Sequence, residues 1–181
     1  MWFGNMITPA WWSHLWLSEA FARYYQYFGT AKIETTWNME DQFVVEQHQS
    51  ALGVDGIESS QPMSRNVSTQ SQIGGMGDSI TYNKGASIVR MMNLLFGSEA
   101  FDAGLRDYLE NNKKDGVAHP DHLWTALQSQ VERRKIKLGG TVKEIMSTWT
   151  TQAGFPVITV SINKGIATLR QERFFVRNLK S

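Results

Sequence analysis

The chain has 181 residues, of which 41% are hydrophobic, and its 18 basic side chains nearly balance 17 acidic ones. This length suits one domain, or one domain with part of another, and a formal net charge of +1 gives no electrostatic case for a nucleic-acid partner. The sequence contains no cysteine, which excludes disulfides, thiolate metal ligands and thiol catalysis. It also lacks the apolar run of about 18 residues that predicts a membrane-spanning helix.

The first part of the chain is predicted to contain an aromatic segment, two helices and a long loop. Residues 1–17 are rich in tryptophan and are interpreted as a buried connecting segment. Helical periodicity begins near Ser18 and ends near Gly29, and a second helix is predicted from about residue 35 to residue 52. Residues 53–79 are polar and glycine-rich, which predicts a long loop of the kind that is often functional.

Four further helices are predicted after this loop. The first runs from about residue 81 to residue 96, and Ser98 is predicted to N-cap the second. Pro120 fits the first turn of the third helix, because proline is favoured at that position. The spacing of Thr141 and Glu144 predicts a capping box at the start of the fourth.

The period changes from that of a helix to that of a strand near Val157. Val157, Thr159 and Ser161 alternate with the apolar set Ile158, Val160 and Ile162. Asn163-Lys164-Gly165 provides a turn, and a return strand begins at Ile166. The predicted fold class is therefore mainly α with a C-terminal β-hairpin.

The four histidines do not show the spacing of a self-contained zinc site. No His-Glu-x-x-His sequence occurs in the 181 residues. His119 and His122 lie three residues apart and are compatible with a metal clip, but solvent-facing residues of a first helical turn are the favoured interpretation. His48 is interpreted as an ordinary helix residue, and His14 has no carboxylate partner at helical spacing.

Glu19 and Tyr82 each have an ordinary structural interpretation. Glu19 opens a helix, where the helix dipole favours an acid, and a pair with Arg23 at i+4 would add about 0.2–0.5 kcal/mol. Tyr82 begins the helix after the glycine-rich loop and is compatible with a half-buried phenol whose hydroxyl contacts water.

Several short motifs recur together in a recognisable order. They are Trp2-Phe3-Gly4-Asn5, the Trp11-Trp12 pair, Leu15-Trp16-Leu17-Ser18-Glu19-Ala20-Phe21-Ala22 and Tyr82-x-Lys84-Gly85-Ala86. In this order and spacing the chain resembles the zinc metallopeptidases of the aminopeptidase N family over essentially its whole length. That family carries His-Glu-x-x-His, then eighteen residues, then a glutamate. Because the resemblance places Met1 directly after the second histidine, Glu19 falls at the position of this glutamate.

The resemblance implies a hydrolase that removes N-terminal residues from peptides, with zinc as cofactor. It further implies that Glu19 is the third zinc ligand and that Tyr82 donates a hydrogen bond to the oxyanion of the intermediate. The sequence departs from the family pattern because it lacks His-Glu-x-x-His and the Gly-x-Met-Glu-Asn segment. We therefore expect neither tight zinc binding nor turnover from this chain alone. The alternative is a non-catalytic relative that acts as a peptide-binding or interaction module.

The resemblance also implies an architecture and a location. Residues 1–153 would form the helical C-terminal part of a thermolysin-like catalytic domain, and residues 155–181 would begin a β-sandwich domain. An extracellular or plasma-membrane location is the family expectation, although no targeting signal is recognised in the chain. We further expect an exposed apolar patch and poor solubility. That patch would comprise Trp2, Trp11, Trp12 and Trp16.

Overall fold

The computed structural model describes residues 2–176, so Met1 and the last five residues of the predicted 155–181 segment lie outside the described residues. Helices dominate this part of the chain, and π-helical turns at Val44–His48 and Ile80–Lys84 interrupt or precede them. A short 3₁₀ turn covers Trp12–His14. The α-helices are α1 (Trp16–Ile33), α2 (Met39–Phe43), α3 (Gln49–Asp55), α4 (Gln70–Gly74), α5 (Gly85–Phe96), α6 (Ser98–Asn112), α7 (Pro120–Arg133) and α8 (Val142–Thr151).

The strands form two small two-stranded sheets. In the first, β1 (Thr8–Pro9) pairs in parallel with β2 (Val117–Ala118) and ties the N-terminal segment to the start of α7. In the second, β3 (Pro156–Asn163) and β4 (Ile166–Arg173) form an antiparallel hairpin. The prediction of a mainly α fold with a C-terminal hairpin is confirmed.

Two predicted helix starts are confirmed by their local chemistry. Pro120 occupies the first turn of α7. At α8 the Glu144 backbone N–H donates to Thr141 Oγ1 over 3.2 Å, and the Thr141 N–H donates to Glu144 Oε2 over 2.8 Å, which completes the capping box. The predicted N-cap at Ser98 is wrong. Gly97, with φ of +79°, precedes the helix instead, and Ser98 is already helical.

The segment between α1 and α5 is less regular than predicted. The expected second helix begins at Met39 rather than near residue 35, and the π-helical turn at Val44–His48 separates α2 from α3. The predicted loop over 53–79 contains the short helix α4, which Thr69 caps. The next helix begins with the π-helical turn at Ile80–Lys84, whose wider winding is found frequently at functional sites.

A close helix–helix contact determines how α1 and α5 pack. A Cβ atom added to Gly85, the first residue of α5, would lie 2.6 Å from the Cβ of Ala20 on α1. Both residues are buried, and the core continues through aromatic side chains such as Phe21 and Phe101. Glycine at position 85 therefore allows the two helices to approach at the level of Glu19 and Tyr82.

The tryptophans of the N-terminal segment divide into two groups. Trp2, Trp11 and Trp12 expose 65%, 51% and 45% of their surface, as expected for an apolar patch. The prediction that Trp16 belongs to this patch is wrong, because Trp16 is fully buried. Its ring stacks on Trp124 with a centroid separation of 5.8 Å, and its Nε1–H donates to Ser64 Oγ over 2.8 Å.

Among residues 2–176, no helix combines the length and the apolar character needed to cross a membrane. The division into domains at about residue 154 stays a prediction.

Candidate functional site

Glu19 and Tyr82 come from separate elements and lie together. Glu19 is in the first turn of α1, and Tyr82 is in the π-helical turn that precedes α5. The contact between Ala20 and Gly85 brings these two elements close. Both side chains are half-buried, so each one packs against the protein and is also partly exposed to solvent.

The Tyr82 phenol lies in an environment that keeps it protonated. Burial raises the pKa of Tyr82 above its ordinary value, and a polar contact with the Glu19 carboxylate raises it further, while the Arg23 cation opposes this rise. The Arg23 guanidinium carbon lies 5.4 Å from the centroid of the Tyr82 ring, in cation–π geometry. Tyr82 is therefore a neutral hydrogen-bond donor near neutral pH.

The expected ion pair between Glu19 and Arg23 does not form. Within residues 2–176, Arg23 takes part in no ion pair. Its guanidinium contacts the face of Tyr82 instead. The i+4 spacing predicts that Glu19 and Arg23 are close on α1. The guanidinium of Arg23 lies over the Tyr82 ring, which belongs to another element of the fold.

The loop before Tyr82 is held by Arg65. The guanidinium of Arg65 donates to Asp78 Oδ2 over 2.8 Å and to the Gly75 carbonyl over 3.0 Å. The other carboxylate oxygen of Asp78 accepts from the Thr81 backbone N–H over 2.9 Å. Asp78 thus links the glycine-rich loop to the turn that carries Tyr82.

A buried ion pair that no sequence pattern predicts holds the other end of this turn. Lys84 Nζ lies 2.8 Å from Asp55 Oδ2, and the two side chains are only 5% and 3% exposed. Lys84 also donates to the carbonyls of Gln152 and Gly154, while Asp55 Oδ1 accepts from the Gly154 N–H. Burial lowers the pKa of Lys84, and Asp55 opposes that change. This network joins the Tyr82 turn to the segment between α8 and β3.

A polar cavity of about 370 Å³ opens beside the Tyr82 ring. Its walls come from α1, from both π-helical turns and from the end of the glycine-rich loop. The lining residues are Arg23, Gln47, Gly77, Asp78, Ser79, Tyr82 and Asn83.

A larger and mostly apolar cavity, of about 580 Å³, lies between α3, α5 and the end of α8. Lys84 and Asp55 contribute to its wall, but neither Glu19 nor Tyr82 does. It is therefore separate from the candidate site.

The structure brings three of the four histidines together. The ring of His119 lies 6.1 Å from that of His14 and 5.8 Å from that of His122, measured between centroids. Burial and the neighbouring His119 lower the pKa of His14. Among the described residues, no group of three or more His, Cys, Asp or Glu side chains has the arrangement needed to hold a metal ion.

Residues 1–149 match the Peptidase family M1 domain. The chain belongs to peptidase family M1. This assignment confirms the resemblance inferred from the ordered motifs, and it places the chain among the metallopeptidases, a class of hydrolases.

Members of family M1 from animals and plants are similar to almost the whole chain. Aminopeptidase N of Homo sapiens is 41% identical over 178 residues, which cover 97% of this chain and 18% of that protein. Aminopeptidase Ey of Gallus gallus is 35% identical over 178 residues, with the same coverage of both chains. Aminopeptidase M1 of Arabidopsis thaliana is 37% identical over 173 residues, which cover 96% of this chain and 19% of that protein. The chain thus spans about a fifth of the length of these relatives.

Proposed function

We propose that this chain supplies one zinc ligand and the oxyanion donor to the catalytic domain of a metalloaminopeptidase that removes N-terminal residues from peptides. The observation that carries the proposal is the placement of Glu19 beside Tyr82. Helix α1 contributes the carboxylate and the π-helical turn contributes the phenol, although the two are far apart in sequence. Family membership supports the reaction class.

The described side chains, those of residues 2–176, do not by themselves form a complete set of zinc ligands. Catalytic zinc usually has three protein ligands and an open position, whereas within residues 2–176 no such group is formed. Glu19 is chemically suitable as one of these ligands, since carboxylate oxygens bind zinc. When bound in a full set of ligands, zinc makes a coordinated water acidic enough to be deprotonated near neutral pH.

The chain's own contribution to catalysis would come from Tyr82. A neutral phenol donates a hydrogen bond to the negative charge that develops on a carbonyl oxygen during hydrolysis. Burial and Glu19 hold Tyr82 in the neutral form, since both raise the pKa of its hydroxyl. The Arg65–Asp78 contacts on one side and the Lys84–Asp55 pair on the other fix the turn that positions it.

The first test uses the 181-residue chain. We expect less than stoichiometric zinc by elemental analysis and no hydrolysis of an aminoacyl chromogenic substrate. Stoichiometric zinc that is lost in Glu19→Gln but kept in Glu34→Gln would contradict this expectation. Glu34 is a suitable control because it is an exposed carboxylate at the C-terminal end of α1.

The second test reads the coding sequence upstream of codon 1. If it encodes His-Glu-x-x-His in frame, we expect the longer product to bind zinc and to hydrolyse aminoacyl substrates. In that product Tyr82→Phe should retain the metal and lose about 10²–10³ in kcat, the range for removal of one oxyanion donor. Tyr25→Phe, a partly exposed tyrosine on α1, is the matched control. Retention of full activity by Tyr82→Phe would refute the role of Tyr82.

If no such sequence is encoded, the non-catalytic peptide-binding relative becomes the better hypothesis. For the catalytic product, peptides are the proposed substrates, and an extracellular or plasma-membrane location is proposed from the family relationship.

A further inference from the structure

Two side chains in the cavity beside Tyr82 have no role in the function proposed above. They are Arg23 on α1 and Gln47 in the π-helical turn between α2 and α3. Both line the same 370 Å³ space, and Tyr82 forms part of its wall. The cavity therefore adjoins the side chain that is proposed as the oxyanion donor.

Arg23 supplies this cavity with a positive charge that takes part in no ion pair within the described residues. Its guanidinium lies over the Tyr82 ring. Its charge also acts on Tyr27, one helical turn further along α1, where it opposes the burial that raises the pKa of that phenol. A planar guanidinium held on an aromatic ring is suited to bind a carboxylate with two hydrogen bonds.

Gln47 supplies an unsatisfied acceptor. The Tyr27 hydroxyl donates to Glu46 Oε2, so it accepts from Gln47 Nε2, which lies 2.7 Å away. This orientation of the amide leaves Gln47 Oε1 without a partner among the described residues, although the side chain is only 6% exposed. A buried polar atom without a hydrogen bond is unfavourable, so a ligand N–H that donates to Gln47 Oε1 would stabilise the site.

Among the described residues, the acid that lines the cavity already has partners for both carboxylate oxygens. Asp78 accepts from Arg65 with one carboxylate oxygen and from the Thr81 N–H with the other. Asn83 donates its amide to Ser50 Oγ over 3.2 Å, which links the second π-helical turn to α3. Arg23 and Gln47 therefore offer a ligand a cation and a hydrogen-bond acceptor.

We propose that Arg23 and Gln47 form a subsite for an acidic peptide residue, with Arg23 binding the side-chain carboxylate and Gln47 Oε1 accepting a backbone N–H. This inference rests on the proposed function, since it assigns the peptide a position relative to Tyr82. The acidic residue is the second residue of the peptide. The first residue of the peptide carries the free N-terminal ammonium group, and the Arg23 cation would repel that group.

The experiment measures binding to the 181-residue chain by NMR, without metal and without turnover. The probes are the amides of Ala-Glu-Ala, Ala-Gln-Ala and Glu-Ala-Ala, and the signals followed are the Gln47 side-chain amide and the Arg23 Nε–H. We expect Ala-Glu-Ala amide to bind about tenfold more tightly than Ala-Gln-Ala amide, which corresponds to about 1.4 kcal/mol. The preference should disappear in Arg23→Gln and persist in Arg106→Gln, since Arg106 is exposed on α6.

Equal affinities for the Glu and Gln peptides, a preference for Glu-Ala-Ala amide, or no shift of the Gln47 and Arg23 signals would overturn the subsite. Comparison of the thermal unfolding midpoints of the two arginine variants separates lost binding from lost folding. A tenfold preference in binding without hydrolysis by any zinc-loaded form would contradict the proposed function alone. Hydrolysis with equal kcat/KM for the Glu and Gln peptides would contradict the subsite alone.

Discussion

Gly85→Ala tests whether the approach of α1 and α5 depends on the missing side chain at position 85. The added Cβ would lie 2.6 Å from the Cβ of Ala20 and 3.4 Å from its Cα, and both residues are buried in the core. Overpacking of this kind costs about 1–3 kcal/mol, whereas alanine in place of glycine within a helix gains about 0.5–1 kcal/mol. We therefore expect a net loss of up to about 2.5 kcal/mol in the free energy of unfolding. For a chain of this size that corresponds to a fall of up to roughly 10 °C in Tm.

The assay is urea and thermal unfolding followed by circular dichroism, with two comparisons. Gly29→Ala is the matched control, because no atom lies within 4 Å of an added Cβ at that helical position. It should stabilise the chain by about 0.5–1 kcal/mol. In an Ala20→Gly background the contacting methyl is gone, so Gly85→Ala should become neutral or stabilising. An equal cost of Gly85→Ala in both backgrounds would refute the steric explanation.

Three further predictions concern charged groups. Lys84→Met should destabilise the chain by about 3–5 kcal/mol in urea unfolding because it leaves a buried carboxylate unpaired, and adding Asp55→Asn should recover part of that loss. A full additive loss in the double variant would argue against a direct pair. Hydrogen bonds from the capping box lower the pKa of Glu144, so its contribution to stability is present above its ordinary pKa and is lost as pH falls through the folded value. Glu144→Gln should make the free energy of unfolding less dependent on pH in the acid range. An unchanged pH dependence in this variant would contradict the prediction. Because the Glu19 carboxylate raises the pKa of Tyr82, Glu19→Gln should lower that pKa in an ultraviolet titration, with Tyr82→Phe used to assign the signal. An unchanged Tyr82 titration would show that the two groups do not interact.

Features set by a few neighbouring residues were predicted well. The capping box at Thr141 and the hairpin turn at Lys164 and Gly165 depend on residues that are adjacent or three apart, so the sequence contains all the information that they need. The predicted N-cap at Ser98 is wrong even though a cap is a local feature. Gly97, with its positive φ, occupies the cap position, and the helix therefore begins at Ser98, one residue earlier than a cap at Ser98 would place it.

Features that depend on distant residues were not predictable in the same way. Trp16 and Trp12 lie in one aromatic segment, yet only Trp16 meets Trp124 of α7 and becomes buried. The Lys84–Asp55 pair joins two elements that show no mutual pattern in sequence. The roles of Glu19 and Tyr82 were implied only by the family resemblance, and their proximity was not predicted, because no local rule relates two such separated residues.

The hairpin has a consequence for how the chain behaves at high concentration. Apolar residues such as Ile158, Val160, Ile162 and Leu169 are exposed on β3 and β4, and among the described residues neither strand pairs with a third one. Strand edges with free N–H and C=O groups are templates for pairing with another chain. Edge-to-edge association should therefore compete with the monomeric state, and a lysine at an outward position such as Val160 should suppress it.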